Sequence, residues 1–434
     1  MGLGRESLTL QIGALVRAGT GFVGVAWLSH ALGPREQGEY YSAVAAFSLL
    51  YVLGTAGIGS LVVSRIAESE GRLDEVAAWV RFLLLSSAAV SLVLAGIGWL
   101  LRDQVTIWLE LPPQVGEWFS LLCWTPLLEL FRIAAVAALH GLRRMRALVL
   151  LESFSEVLRV ACVIGGAYAT GGAAGSVLGW LIASLLSSVF AMWVWGAQEA
   201  RGATLPAWST VVRGPGFVPE RKDLVDAVSL GFIRNSSAVS RDALPALLTA
   251  RFAGAEWVAY LRIGQRIISV GQLFAAGASR ISLPLLGELA SRPEALKRAW
   301  LRASLVGAGS VGLSLLALLA LLPVVLDLFL DSAYREPVLR TCYLIAPAVL
   351  LSGFAVASDA FYLATRTVRA GLWITLLGLP WGLVVLFVTT RADPHFGAAW
   401  GLSLASVWVL WHPLYAWRWF SRSLNPEASP DRYS

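Results

Sequence analysis

Long apolar runs alternate with short polar connectors along the whole chain. Twelve runs are predicted as helices. The first six cover residues 8–32, 40–63, 77–101, 118–139, 151–169 and 173–195. After a polar stretch at 198–223, the others cover 224–250, 258–283, 300–322, 338–363, 370–389 and 398–417. Each is close to the roughly 20 residues a helix needs to cross a bilayer. The runs are continuous rather than alternating, which selects helices over barrel strands as the way to pair every backbone group in lipid. The expected fold class is an all-α membrane protein of about twelve transmembrane helices.

Composition agrees with this pattern. Hydrophobic residues make up 57% of the 434 residues, and the mean hydropathy is +0.68. The net charge of +6 does not point to nucleic acid, because the basic residues sit in short clusters between apolar runs. Such clusters are topology signals. Arg65 and Arg72, Arg143, Arg144 and Arg146, Arg292, Lys297 and Arg298, Arg366 and Arg369, and Arg418 and Arg422 fall on one side. Arg35, Arg102, Arg251, Arg335 and Arg391 fall on the other. The richer side should be cytoplasmic, with both termini inside. The first run contains Arg17 and has no small-x-small cleavage site, so it reads as a span rather than a cleavable signal. The three cysteines, Cys123, Cys162 and Cys342, lie within runs and are expected as free thiols.

The two halves of the chain share short patterns. Leu32-Gly33-Pro34-Arg35-Glu36-Gln37-Gly38-Glu39-Tyr40 has a counterpart in Ala253-Gly254-Ala255-Glu256-Trp257-Val258-Ala259-Tyr260. Ser64-Arg65-Ile66 pairs with Ser279-Arg280-Ile281, and Arg143-x-x-Arg146 with Arg366-x-x-Arg369. These pairs lie about 215 to 223 positions apart. The expected organisation is therefore two pseudo-symmetric six-helix lobes, at 1–197 and 224–418. A cytoplasmic linker would occupy 198–223 and a cytoplasmic tail 419–434.

A charge at mid-membrane costs at least about 2.5–3.5 kcal/mol, so charged residues there face a cavity or a partner. Arg65, Arg81 and Arg280 stand near span ends, where snorkelling removes that cost. Arg17, Arg234, Asn235, Arg241, Arg262 and Arg266 lie deeper, on the first, seventh and eighth spans. Together they would line a basic cavity suited to an anion that accepts several guanidinium hydrogen bonds. Asp242 adjoins Arg241, and pairing between them is the plainer reading. Glu129 and Arg132 are three apart and should pair, while Glu152, Glu156 and Arg159 share one helix face. Those carboxylates and Asp359 serve either proton coupling or helix packing. Pro126, Pro245, Pro347, Pro380 and Pro413 interrupt spans and mark kinks. His30, His140, His395 and His412 have no metal-ligand spacing. There is no GxxxxGK, D-x-D, H-E-x-x-H or G-x-S-x-G motif. No metal, cofactor or catalytic nucleophile is expected.

The run Leu32-Gly33-Pro34-x-Glu36-x-Gly38-x-Tyr40, the basic turn Gly141 to Arg146 and the twelve-span plan resemble polysaccharide flippases of the Wzx type. These belong to the MOP exporter superfamily that also holds the lipid II flippase MurJ and multidrug exporters of the MATE type. The resemblance implies a non-enzymatic transporter in the inner membrane. It would move an undecaprenyl-pyrophosphate-linked oligosaccharide between leaflets for surface polysaccharide such as O-antigen, with a cationic cavity for the head group. Membrane lipids and polysaccharide polymerase machinery are the implied partners. Two alternatives stand: a MATE-like cation-coupled exporter of small molecules, and a membrane glycan polymerase or ligase. The first expects a cavity dominated by acids and aromatics, the second a sizeable external loop.

Overall fold

The computed structural model describes residues 3–54, 58–69, 71–200, 205–214, 219–221, 224–225, 241–272, 286, 289 and 292–424. Among the described residues every regular element is a helix. The chain forms two compact units, residues 1–259 and 260–434, which part downstream of the polar stretch at 198–223.

The first unit holds α1 (Leu3–Ala31), α2 (Pro34–Gly54), α3 (Ile58–Glu68), α4 (Leu73–Leu109), α5 (Pro113–Leu122) and α6 (Thr125–Leu128). It continues with α7 (Leu130–Gly141), α8 (Met145–Thr170), α9 (Ala173–Ala200), α10 (Trp208–Arg213) and α11 (Ala243–Ala253). Helix α12 (Ala255–Ser269) begins in the first unit and runs into the second. The second unit adds α13 (Pro293–Phe329), α14 (Ser332–Phe354), α15 (Ser358–Ala364), α16 (Val368–Ala392), α17 (Gly397–Ser406) and α18 (Trp411–Ser423).

As far as they are described, the predicted runs fall on these helices, and two are broken. In the run at 40–63, α2 and α3 are described, and residues 55–57 lie outside the described residues. The run at 118–139 is α5 to α7, bent by 47° between Leu128 and Leu130. The run at 398–417 is α17 and α18 joined by a 3-10 turn at Val407–Leu410. The run at 224–250 is described only at its ends. Among the described residues, six helices are individually long and apolar enough to cross a membrane, and the bent pair makes a seventh. Helix α8 has 26 residues but carries Arg146, Glu152, Glu156 and Arg159. The chain is a multi-pass membrane protein.

Each unit repeats the same local devices. Helices α4 and α13 are both 37 residues long, and an arginine precedes each, Arg72 and Arg292. At 1.5 Å per residue they extend about 55 Å, well beyond the hydrocarbon core. Arg143 (φ 54°) and Arg366 (φ 56°) both take the left-handed conformation that ends a helix. Each is closed by the same six-to-one bond, Arg144 N–H to Leu139 O at 2.8 Å and Thr367 N–H to Tyr362 O at 3.0 Å. A Cβ on Gly175 would sit 2.0 Å from the Gly166 carbonyl, and one on Gly397 would sit 2.1 Å from the Thr389 carbonyl. In both units, therefore, two antiparallel helices touch backbone to backbone, and only glycine permits it.

Apolar packing in the first unit is divided in two. One cluster, around Leu32, Tyr40, Val115, Leu122, Val163 and Val177, gathers at the arginine-poor end. The other, around Val62, Val80, Leu139, Leu151, Val194 and Trp195, gathers at the arginine-rich end. Along α8 the order is Leu151 in one cluster, then Glu152 to Arg159, then Val163 in the other. Along α9 it is Val177, then Ala183 to Ser187, then Ala191. Polar residues thus fill the middle of the helices, half-way between two greasy ends.

A polar cavity at mid-helix as the candidate functional site

That middle zone encloses a cavity of about 220 Å³. It is lined by Arg17 from α1, Glu129 and Arg132 at the α6–α7 break, and Glu152, Ser155, Glu156 and Arg159 from α8. Ala183, Ser184 and Ser187 of α9 complete it. The α8 residues recur at helical spacing and so share one face. The break falls at Glu129, three residues after Pro126, and no backbone bond from Arg132 N–H reaches the Leu128 carbonyl across it. Ser188 on α9 supplies one remedy, its hydroxyl donating to the Leu128 carbonyl at 2.6 Å. Ser184 supplies another contact, donating to Glu129 Oε1 at 2.9 Å.

Three arginines face three glutamates. Arg17 Nη1 lies 2.6 Å from Glu152 Oε2, although the two are 135 residues apart in sequence. Arg132 is paired with Glu129, as their spacing predicts. Arg159 is paired with Glu156, and its guanidinium carbon stands 5.0 Å over the Trp180 ring. The Arg17 and Glu152 side chains are each about one-third exposed (31%), those of Glu129 and Glu156 14% and 12%. The Ser155 hydroxyl is buried and has no protein partner. A buried hydroxyl in a charged cavity is a place for a polar occupant. The volume is below the roughly 300 Å³ at which drug-sized ligand pockets begin.

Arg17, expected in a binding role, is therefore brought together with Glu129, Glu152 and Glu156, expected in coupling or packing. Arg241 and Asp242 are exposed and precede α11. Arg262 and Arg266 stand one turn apart on α12, in the second unit, with Arg262 Nη1 3.3 Å from Gln265 Oε1. Arg234 and Asn235 lie outside the described residues. Asp359 is on α15, and its side chain also lies outside them. One sequence expectation is corrected. Arg81, read as snorkelling from a span end, is only 7% exposed. Its guanidinium caps α10, donating to the carbonyls of Thr210 and Val211. The cause is that α10 folds back over α4, with Trp208 stacked on Trp195 at 4.5 Å.

Residues 3–290 match the model of the family described as polysaccharide biosynthesis protein. The chain belongs to that family. No curated protein sequence matches it. Among solved structures, this polysaccharide biosynthesis family member is similar to an inward-facing multidrug resistance MATE family transporter of the MOP superfamily. The TM-score is 0.70 at 17% identity, covering 94% of this chain and 96% of that one. It is also similar to a MOP superfamily transporter from Pyrococcus furiosus for which reversed polarity of the binding pocket suggests a different function. There the TM-score is 0.66 at 16% identity, covering 97% and 96%. An outward-facing MATE family transporter matches at TM-score 0.65 and 18% identity, covering 95% of each chain. At these identities the likeness shows the fold alone, which is the fold of these transporters.

The site also holds residues not singled out from the sequence: Ser155, Ser184, Ser187 and, next to the cavity, Ser188. Their only trace there is the spacing Ser184, Ser187, Ser188, which puts three hydroxyls on one face of an otherwise apolar helix.

Proposed function

We propose that this family member is a flippase that carries an undecaprenyl-pyrophosphate-linked oligosaccharide across the inner membrane, cytoplasmic termini and all. The observation that carries the reading is a polysaccharide biosynthesis family match over residues 3–290 on the fold of a membrane transporter. The arginine surplus of the deep spans supports a head group that is an anion, with Arg234, Asn235, Arg241, Arg262 and Arg266 as its contacts. The three Arg–Glu pairs of the first unit give a way to drive the cycle. Glu152, Glu129 and Glu156, each beside an arginine, are the coupling groups of this reading. Lipid-linked glycan and membrane lipid are the partners of this reading, with polymerase machinery downstream.

The test is leaflet accessibility of a labelled lipid-linked oligosaccharide in reconstituted vesicles. Exchange between leaflets should exceed that of protein-free vesicles and fall in Arg234→Ala plus Arg241→Ala. Equal exchange with and without protein would sink the proposal. A MATE-like cation-coupled exporter is the second reading, favoured by the likeness to MATE structures. It predicts proton- or sodium-driven efflux of organic cations by the same vesicles.

A further inference from the structure

The arginine-rich end of the second unit is built around an aromatic cluster. Phe361 of α15 packs against Trp300 of α13 at 6.2 Å and against Trp419 and Phe420 of α18 at 5.7 and 5.4 Å. A Cβ on Gly371 of α16 would meet the Tyr362 ring at 2.8 Å, so four helix ends converge there. The described stretches 292–302, 364–370 and 411–424 contain eight basic residues and a single carboxylate, Glu294. Lys297 lies over the Trp417 ring, its ammonium 4.6 Å from the centroid. Arg298, Arg366, Arg369, Arg418 and Arg422 are exposed and have no ion pair among the described residues. The first unit differs, since there Arg65 is paired with Glu68 and Arg72 with Glu75.

Arg366 adds a second argument. It holds a left-handed backbone conformation, which glycine adopts without steric penalty and arginine does not. Its guanidinium makes no contact within the described residues that would offset this. Arg143, at the matching turn of the first unit, shares the conformation and is also exposed. A side chain kept at a strained position without an internal partner serves something outside the chain. One or two turns deeper the same helices present apolar surface: Leu305 and Val306 on α13, Trp373 on α16, and Leu414 on α18, 56% to 65% exposed. Exposed cations and exposed apolar side chains are thus continuous along these helices.

We infer that this basic end of the second unit binds anionic phospholipid of the cytoplasmic leaflet, with Arg366, Arg369, Arg418, Arg422, Lys297 and Arg298 taking the phosphates. The occupant is a phospholipid rather than a soluble anion because exposed apolar side chains continue directly from the charged ones. Guanidinium forks match phosphate oxygens, and juxtamembrane basic clusters are attracted to anionic leaflets. This surface is separate from the transport reading and does not depend on it.

The experiment is native mass spectrometry and thermal unfolding of the full-length protein in detergent. The probes are diphosphatidylglycerol, phosphatidylcholine and inorganic pyrophosphate. Wild type should retain diphosphatidylglycerol, gain thermal stability from it at low salt, and gain little from phosphatidylcholine. Arg366→Gly with Arg418→Gln and Arg422→Gln should bind it about tenfold more weakly or worse. Arg366→Gly alone should unfold at the wild-type temperature or higher in lipid-free detergent, because glycine relieves the turn. A control, Arg65→Gln with Arg72→Gln, should bind as wild type does. Unchanged lipid retention in the triple variant overturns the inference. So does equal loss in the control, or protection of wild type by pyrophosphate as strong as that by the lipid. No glycan is present and no transport is measured, so failure here leaves the flippase reading standing, and the reverse.

Discussion

Removing the Glu152 carboxylate leaves Arg17 facing a cavity with one positive charge too many, whereas removing both restores the balance. A double-mutant cycle should show this. Arg17→Ala and Glu152→Ala should each cost about 1–3 kcal/mol, between the surface and buried limits for ion pairs. The double variant should cost less than the sum, as read from unfolding in detergent. Gly175 gives a steric counterpart. With the Gly166 carbonyl 2.0 Å from any added Cβ, Gly175→Val should cost at least about 2 kcal/mol by overpacking. Gly397→Val should behave alike in the second unit. At this scale the sequence was readable where partners are near neighbours. Glu129 and Arg132 are three apart and pair as their spacing demands. The Arg17–Glu152 pair was not readable, because nothing in a local pattern says which of several distant acids a mid-span arginine meets. Arg81 shows the same limit: its partners, the carbonyls at 210 and 211, lie some 130 positions away.

Apolar runs fix where helices lie, yet they do not mark where a helix stops within the membrane. The span from α5 to α7 reads as one run and is bent by 47° beside Glu129. Pro126 signals the kink, but the serines that hold it stand on another helix. Ser188→Ala would leave the Leu128 carbonyl without its donor, at a cost of about 1–3 kcal/mol in unfolding free energy. Because the break sets the position of Glu129, the same variant should also slow leaflet exchange in the vesicle assay. Slower exchange with no change in stability would separate the geometry of the break from its strength. The basic turns after the fourth and tenth spans were legible as Arg-x-x-Arg, and both place their first arginine in the left-handed region. Shared letters there reflect shared backbone.

Across the whole molecule, the charge asymmetry of the connectors predicts which side each faces. Cysteine placed at Arg143 or Arg366, in a variant lacking the three native thiols, should react with an impermeant reagent only from the cytoplasmic side. Cysteine at Glu110 should react only from the other. Labelling of both from one face would refute the topology. Three short matches suggested a twofold repetition; the two 37-residue helices and the two left-handed arginine turns are further likenesses. What the pattern did not reveal is where the compact units divide. The run starting the second half carries α11, and α11 packs on α2 within the first unit. A Cβ on Gly38 would lie 1.7 Å from the Ala255 carbonyl, so the two backbones are in direct contact. Arg251 is paired with Glu110 beside them. Helix α10 holds a second place on the same unit, with Trp195 Nε1 donating to Pro206 O at 3.0 Å. A protease site inserted after Gly202 would therefore sever the polypeptide ahead of two anchored segments. The two fragments should elute together in mild detergent, joined without a peptide bond, and could be expressed from separate genes.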